Sequence, residues 1–179
     1  MLFGAHVSIA GGIFNAPLNA ASLGCEVFQM FTRSPHGGPT PPLTKEVVEL
    51  FKKNCELGAQ REWYIHSPYF IHYASSNNRI QYGSISAVKQ ELERGSLLDA
   101  KYVMTHLGTY KDLGRKKGFE QLIDSLDKTL QDYKGSTQLL IEISAGAGDI
   151  IGVSFEELAE IIHHKTLKKY NIGVCLDTQ

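Results

Sequence analysis

Four side chains able to bind a metal stand at the ends of short apolar runs. Trp63-Tyr64-Ile65 leads to His66, and Tyr102-Val103-Met104 leads through Thr105 to His106. Leu139-Leu140-Ile141 delivers Glu142 into a turn containing Ala145-Gly146, and Ile172 to Leu176 delivers Asp177. The runs are rich in the aromatic, β-branched and aliphatic residues of buried strands. The first stops abruptly, because Pro68 cannot donate to a ladder and Tyr69 follows on a loop. Parallel strands in one sheet present all their carboxyl ends on one edge, where α/β folds keep their chemistry. Two imidazoles and two carboxylates gathered there suit zinc, with iron or manganese as alternatives. The competing reading is four unrelated polar strand ends; the fourfold recurrence weighs against it.

Those ends need strands in register and helices to return the chain. Strands are predicted at Leu2–Val7, Val27–Phe31, Trp63–Ile65, Tyr102–Met104, Leu139–Ile143 and Ile172–Leu176. Helices are predicted at Ile13–Leu23, Lys45–Leu57, Ser84–Leu98, Lys117–Tyr133 and Phe155–His164, from apolar residues at helical spacing. Thr44 is a candidate N-cap, and Ser154 opens a capping box with Glu157. Regular alternation of strand and helix means a parallel sheet with right-handed crossovers. A doubly wound sheet would place a glycine-rich phosphate turn after strand one, but Gly11-Gly12 is not GxGxxG. The expected fold is therefore α/β, a TIM (β/α)8-type barrel with about six of its units present. Residues 1–179 read as a single domain with the C-terminal units missing, so the reading frame is expected to continue with two more. A complete barrel of this kind runs to about 250 residues.

Composition sets bounds. The chain has 179 residues, 42% hydrophobic and 21% charged, which is ordinary globular usage. Net charge is −1, so nucleic acid must be held by a local patch, not by a global field. Cys25, Cys55 and Cys175 are widely spaced with no CxxC, which suits buried thiols in a reducing compartment. No charged leader or long apolar stretch is present, and a cytoplasmic protein with no membrane partner is expected. The stretch Lys111–Lys117 carries Lys111, Arg115, Lys116 and Lys117 against Asp112 and could meet phosphates, although a solvated helix start accounts for it as well. His163-His164 read as a solvated helix end.

With these residues in view, the chain resembles the N-terminal part of the endonuclease IV family (apurinic/apyrimidinic endonuclease family 2). The matching stretches run in order: Gly4-Ala5-His6-Val7-Ser8 with Gly11-Gly12, Phe28-Gln29-Met30-Phe31-Thr32-Arg33, and His66-Ser67-Pro68-Tyr69. His106-Leu107-Gly108, Glu142 with Ala145-Gly146, and Gly173-Val174-Cys175-Leu176-Asp177-Thr178 complete them. The resemblance implies a TIM barrel, up to three zinc ions (manganese or iron being possible), and cleavage of double-stranded DNA 5′ to abasic sites. It implies that His66, His106 and Glu142 hold the first metal. Glu142 would be the catalytic carboxylate bridging to a second ion that Asp177 also binds. Tyr69, Arg33 and His36 fall at DNA-contacting positions, and His6 behind the metal site. Rim packing is an equal alternative for Tyr69.

The chain also departs from the family pattern. Gln179 stands where Cys is usual and the following His is absent, Ile143 stands for Asn, His36 for Arg, and His72 for Asn. An abasic-site endonuclease is the leading expectation. A metal-dependent sugar isomerase or epimerase on a related barrel is the alternative, with a non-catalytic relative as a third.

Overall fold

The computed structural model describes residues 1–146 and 148–178. It contains β1 (Gly4–His6), a 3-10 turn (Ile13–Asn15), α1 (Ala16–Ser22), β2 (Val27–Met30), α2 (Lys45–Leu57) and β3 (Glu62–His66). These are followed by α3 (Asn78–Leu97), β4 (Tyr102–Thr105), α4 (Gly114–Leu130), β5 (Gln138–Glu142), α5 (Phe155–Ile162) and β6 (Gly173–Cys175). All six strands pair in parallel, in the order β1-β2-β3-β4-β5-β6. β1 and β6 are the two edges, so the sheet is open. This is the α/β, TIM-barrel-type arrangement expected, with six βα strands present.

Register fixes which side chains share a face. Phe28 pairs with Trp63, and Ile65 with Val103 and then Leu139. This parity faces the helices, where Phe28 stacks on Trp63 and Phe51 of α2 meets Trp63 edge-on. The opposite parity runs His6–Gln29–Tyr64, His66–Met104–Leu140–Gly173 and Glu142–Cys175. Because side chains alternate across a strand, His66 and Glu142 share the concave face, and His106 and Asp177 follow in the same parity.

Several element limits differ from expectation for local reasons. β1 is shorter than Leu2–Val7 because an edge strand has one neighbour to pair with. The first helix splits: Pro17 lacks an N–H, a loss tolerated at a helix's first turn, and α1 accordingly starts at Ala16 after a 3-10 turn. α3 begins at Asn78, not Ser84, because the Asn77 side chain accepts from the Arg79 N–H at 2.9 Å. Its buried polar residues have partners: Gln81 donates to Ser125 of α4, and the Ser84 hydroxyl accepts from the His72 N–H. α4 starts at Gly114 and ends at Leu130; Tyr133 lies beyond it, its hydroxyl 2.6 Å from that of Ser96. α5 ends at Ile162, with His163 as its C-cap.

Ser154 does cap α5, accepting from Glu157 N. The Glu157 carboxylate does not close a capping box, however. It accepts instead from Gly152 N, Val153 N and the Tyr110 hydroxyl, tying the β5–α5 loop to the chain after β4. No helix among the described residues is long and apolar enough to cross a membrane.

Candidate metal centre

His66 is the last residue of β3, His106 follows β4, and Glu142 is the last residue of β5. Glu142 Oε2 lies 3.5 Å from His66 Nε2 and 3.6 Å from His106 Nε2. One ligand atom from each of the three falls within 4.8 Å of the others. Ligands about 2.0–2.2 Å from a tetrahedral zinc stand about 3.4 Å apart, so these two separations fit one ion. His66 Nδ1 is 2.6 Å from the Ser67 carbonyl. A carbonyl can only accept, so Nδ1 carries the proton and Nε2 presents its lone pair to the site. Burial lowers the His66 pKa and keeps the ring neutral, with the Ser67 carbonyl opposing.

Glu142 has the most telling environment. It is only 7% exposed, and its Oε2 has no hydrogen-bond partner. A buried carboxylate oxygen without a donor is costly. Burial raises the Glu142 pKa, the His106 ring pulls it down, and the Asp177 charge pushes it further up. A cation between these three side chains would satisfy that oxygen. The donor set therefore fits a divalent ion.

Residues 17–179 match the family described as Xylose isomerase-like TIM barrel. The chain belongs to that family. The "Probable endonuclease 4" of Halothermothrix orenii is 34% identical over 178 residues, covering 99% of this chain and 64% of that protein. That of Cenarchaeum symbiosum is 34% identical over 180 residues, with the same coverage of 99% and 64%. The crystal structure of endonuclease IV from Thermus thermophilus superposes with a TM-score of 0.84 at 30% identity, covering 99% of this chain and 63% of that one. A D-tagatose 3-epimerase-like protein shares the fold alone, with a TM-score of 0.72 at 17% identity. Within the family, then, the resemblance is to endonuclease IV, and the chain spans about 64% of the length of these curated relatives.

Around the His66–His106–Glu142 group of this TIM-barrel family member, the other singled-out residues take different places. Asp177 is exposed beyond β6 and stands outside the three-residue group, but it lines a cleft of about 530 Å³ together with Tyr69, His72, His106 and Thr109. Tyr69 is 55% exposed. Its ring meets those of Phe31 at 5.2 Å, His66 at 5.7 Å and His36 at 5.8 Å. His36 is exposed on the loop after β2. His6 is exposed at the end of β1, with Nδ1 2.6 Å from Gln29 Oε1 and its ring 6.3 Å from that of His66.

Arg33 is not presented at the rim. It is buried, and its guanidinium is held by Glu91 and Gln90 of α3. His72 braces two loops through a 3.0 Å contact from Nε2 to the Thr109 carbonyl. A glycine is required beneath it, since a Cβ on Gly108 (φ +95°) would lie within van der Waals overlap of the His72 ring. In the basic stretch, Arg115 reaches Glu160 on α5. Gln179 lies outside the described residues.

Sequence reading misses the Ser67 carbonyl, which fixes the His66 tautomer, and Glu91, which claims Arg33. No spacing signals the first, because it is a backbone contact. The second spans 58 positions.

Proposed function

We propose that this chain carries the metal-binding half of a DNA-repair endonuclease that hydrolyses the phosphodiester 5′ to abasic sites in duplex DNA, with zinc as the metal. The observation that carries this reading is the partnerless Glu142 Oε2 facing two imidazole nitrogens, in a chain whose similarity is to endonuclease 4 proteins. Bound there, a divalent ion supplies Lewis-acid stabilisation to a phosphoryl oxygen and lowers the pKa of water.

The side chains divide the rest of the work. His66 and His106 offer ring nitrogens as ligands. Glu142 offers a carboxylate whose second oxygen can serve a neighbouring ion, and Asp177, which lines the same cleft as His106 and Tyr69, is the nearby carboxylate suited to share it. His6 steadies the His66 edge of the site through Phe31, whose ring lies 4.5 Å from His6 and 5.2 Å from His66. Tyr69 offers an exposed ring that can stack where a base is absent, and His36 lies beside it to meet the duplex. We further propose that residues 1–179 form one domain, that two further βα units complete the barrel, and that the protein acts in the cytoplasm.

The test is incision of a duplex carrying one abasic site, with zinc added, beside a chelator control and a Glu142→Gln control. Binding of the same duplex against an intact one is measured in parallel. A cut 5′ to the lesion that both controls abolish is the expected result. Neither incision nor preference for the lesion, with the chain folded and zinc bound, would sink the reading; turnover of a ketose under those conditions would favour the epimerase chemistry instead.

A further inference from the structure

We propose that Glu91, acting with Arg33 and Arg94, is the positioning element that sets how the loop after β2 stands over the metal centre, and so governs grip on a duplex without touching the metal. This rests on the nuclease reading above. The loop (residues 31–44) contains Pro35, Pro39, Pro41 and Pro42, with Gly37 and Gly38 both at φ +103°. It has little holding it internally: its own backbone bonding is a long contact from Gly37 N to the Ser34 carbonyl, at 3.3 Å. A long loop of this make-up is ordered by what it is tied to.

The ties come chiefly from α3. The Arg94 guanidinium donates to the Thr32 hydroxyl at 2.6 Å, the Thr32 carbonyl at 2.9 Å and the Pro41 carbonyl at 2.8 Å. One planar fork thus grips both ends of the loop, a task its fixed donor geometry suits. Glu91 accepts from the Thr32 hydroxyl at 2.6 Å with one oxygen and from Arg33 Nε at 2.5 Å with the other. Arg33 continues to Gln90 Oε1 at 3.1 Å. Thr32, Arg33, Glu91 and Arg94 are all buried.

Two guanidiniums against one carboxylate is an expensive way to fill space, because apolar packing of similar volume avoids the desolvation. What a directional network provides is a fixed geometry, the use for which such groups are best attested. Here the geometry passes outward. The Pro35 carbonyl accepts from Tyr69 N at 3.1 Å, and the His36 ring lies against that of Tyr69. Tyr69 in turn stands edge-on to His66. A shift of the α3 anchor therefore moves the loop tip and the exposed ring together, while the three ligand atoms on β3, β4 and β5 stay where their strands hold them.

The experiment compares wild type with Glu91→Gln and with Arg94→Lys, which keeps the charge but loses the fork. Three readings are taken on the zinc-loaded chain: hydrogen exchange of residues 33–41, affinity for a duplex with a non-cleavable abasic analogue, and zinc affinity. The expected result is faster exchange in the loop and about tenfold weaker duplex binding, the order of one added loop-ordering cost, with zinc affinity within about twofold. Unchanged loop exchange overturns the proposal. So does a loosened loop with undiminished duplex affinity, and so does parallel loss of duplex and zinc binding, which marks a merely structural role. If Glu91→Gln fails to fold, Arg94→Lys carries the comparison. A wild type that shows no preference for the lesion fails the nuclease reading itself, before any variant is compared, and takes this proposal with it.

Discussion

Two buried glutamates, Glu142 at the end of β5 and Glu91 on α3, differ in one respect. Both oxygens of Glu91 are filled, by the Thr32 hydroxyl and the Arg33 guanidinium. Glu142 leaves Oε2 without a donor and points it at two imidazoles whose own protons need not face it. The buried polar group with all its partners belongs to the architecture: removing it breaks something already made. The one lacking a partner belongs to a site: removing it costs the apo protein little and a cation everything. Burial alone would have assigned them the same role. Hydrogen-bond accounting separates them.

The largest effect that tests this contrast is at Glu142. Glu142→Gln is expected to lower zinc affinity by more than about 100-fold, beyond the 10–100-fold typical of outer partners of a metal ligand. The same substitution should leave the thermal midpoint of the metal-free chain unchanged or higher, since it removes a buried charge lacking a donor. In wild type, zinc at about 100 times its dissociation constant should add about 2.7 kcal/mol of stability, and in the variant no more than about 0.4 kcal/mol at that concentration. Isothermal titration and thermal melts with and without zinc read both. A Glu142→Gln chain that melts far below wild type without metal would erase the distinction.

The converse holds at Glu91. Glu91→Gln leaves two buried guanidiniums without a counter-charge, and a loss of about 3 kcal/mol in unfolding free energy is expected. Denaturant melts of the metal-free chain measure it. A loss below about 0.5 kcal/mol would put this pair among ordinary surface ion pairs, contrary to its burial.

An intermediate effect is expected at Tyr69, where the two regions meet through ring contacts with His36 and His66. Tyr69→Ala should weaken binding of an abasic duplex by about 1–2 kcal/mol, the scale of one base–aromatic stack, while leaving zinc affinity unchanged. Fluorescence anisotropy with a labelled duplex checks it. If intact and abasic duplexes weaken equally, the ring is rim packing and does not read the lesion.

The metal centre is more legible in the sequence than the anchor, and the reason is range. His66, His106 and Glu142 are each announced locally, by an apolar run that stops on a ligating residue, and parallel pairing does the rest. Arg33 reads as a DNA contact in the sequence because a loop arginine is usually exposed. Its partner lies on a helix 58 positions away, and nothing in local spacing marks Glu91 as different from the other charges of α3. The helix itself reads a turn and a half short. Asn77-Asn78-Arg79 and the polar Gln81 resemble loop until one sees the Asn77 cap and the Ser125 hydroxyl that takes Gln81. The split of the first helix is legible in principle, since Pro17 is a local signal; the short Gly4–His6 edge is not, because it depends on which neighbour is present.

That overlooked helix start gives the smallest effect, and it sharpens the contrast by separating α3 as a scaffold from α3 as an anchor. Asn77→Ala removes the side-chain acceptor for Arg79 N and should cost about 1 kcal/mol of stability. Glu91 lies about four turns farther along the helix, so fraying of the first turn should not reach it. Loop exchange at residues 33–41, duplex affinity and zinc affinity should therefore all match wild type despite the lower melting point. If the loop loosens as it does in Glu91→Gln, any damage to α3 frees it. The buried carboxylate would then be one support among many, and its filled oxygens would no longer distinguish it from the rest of the helix.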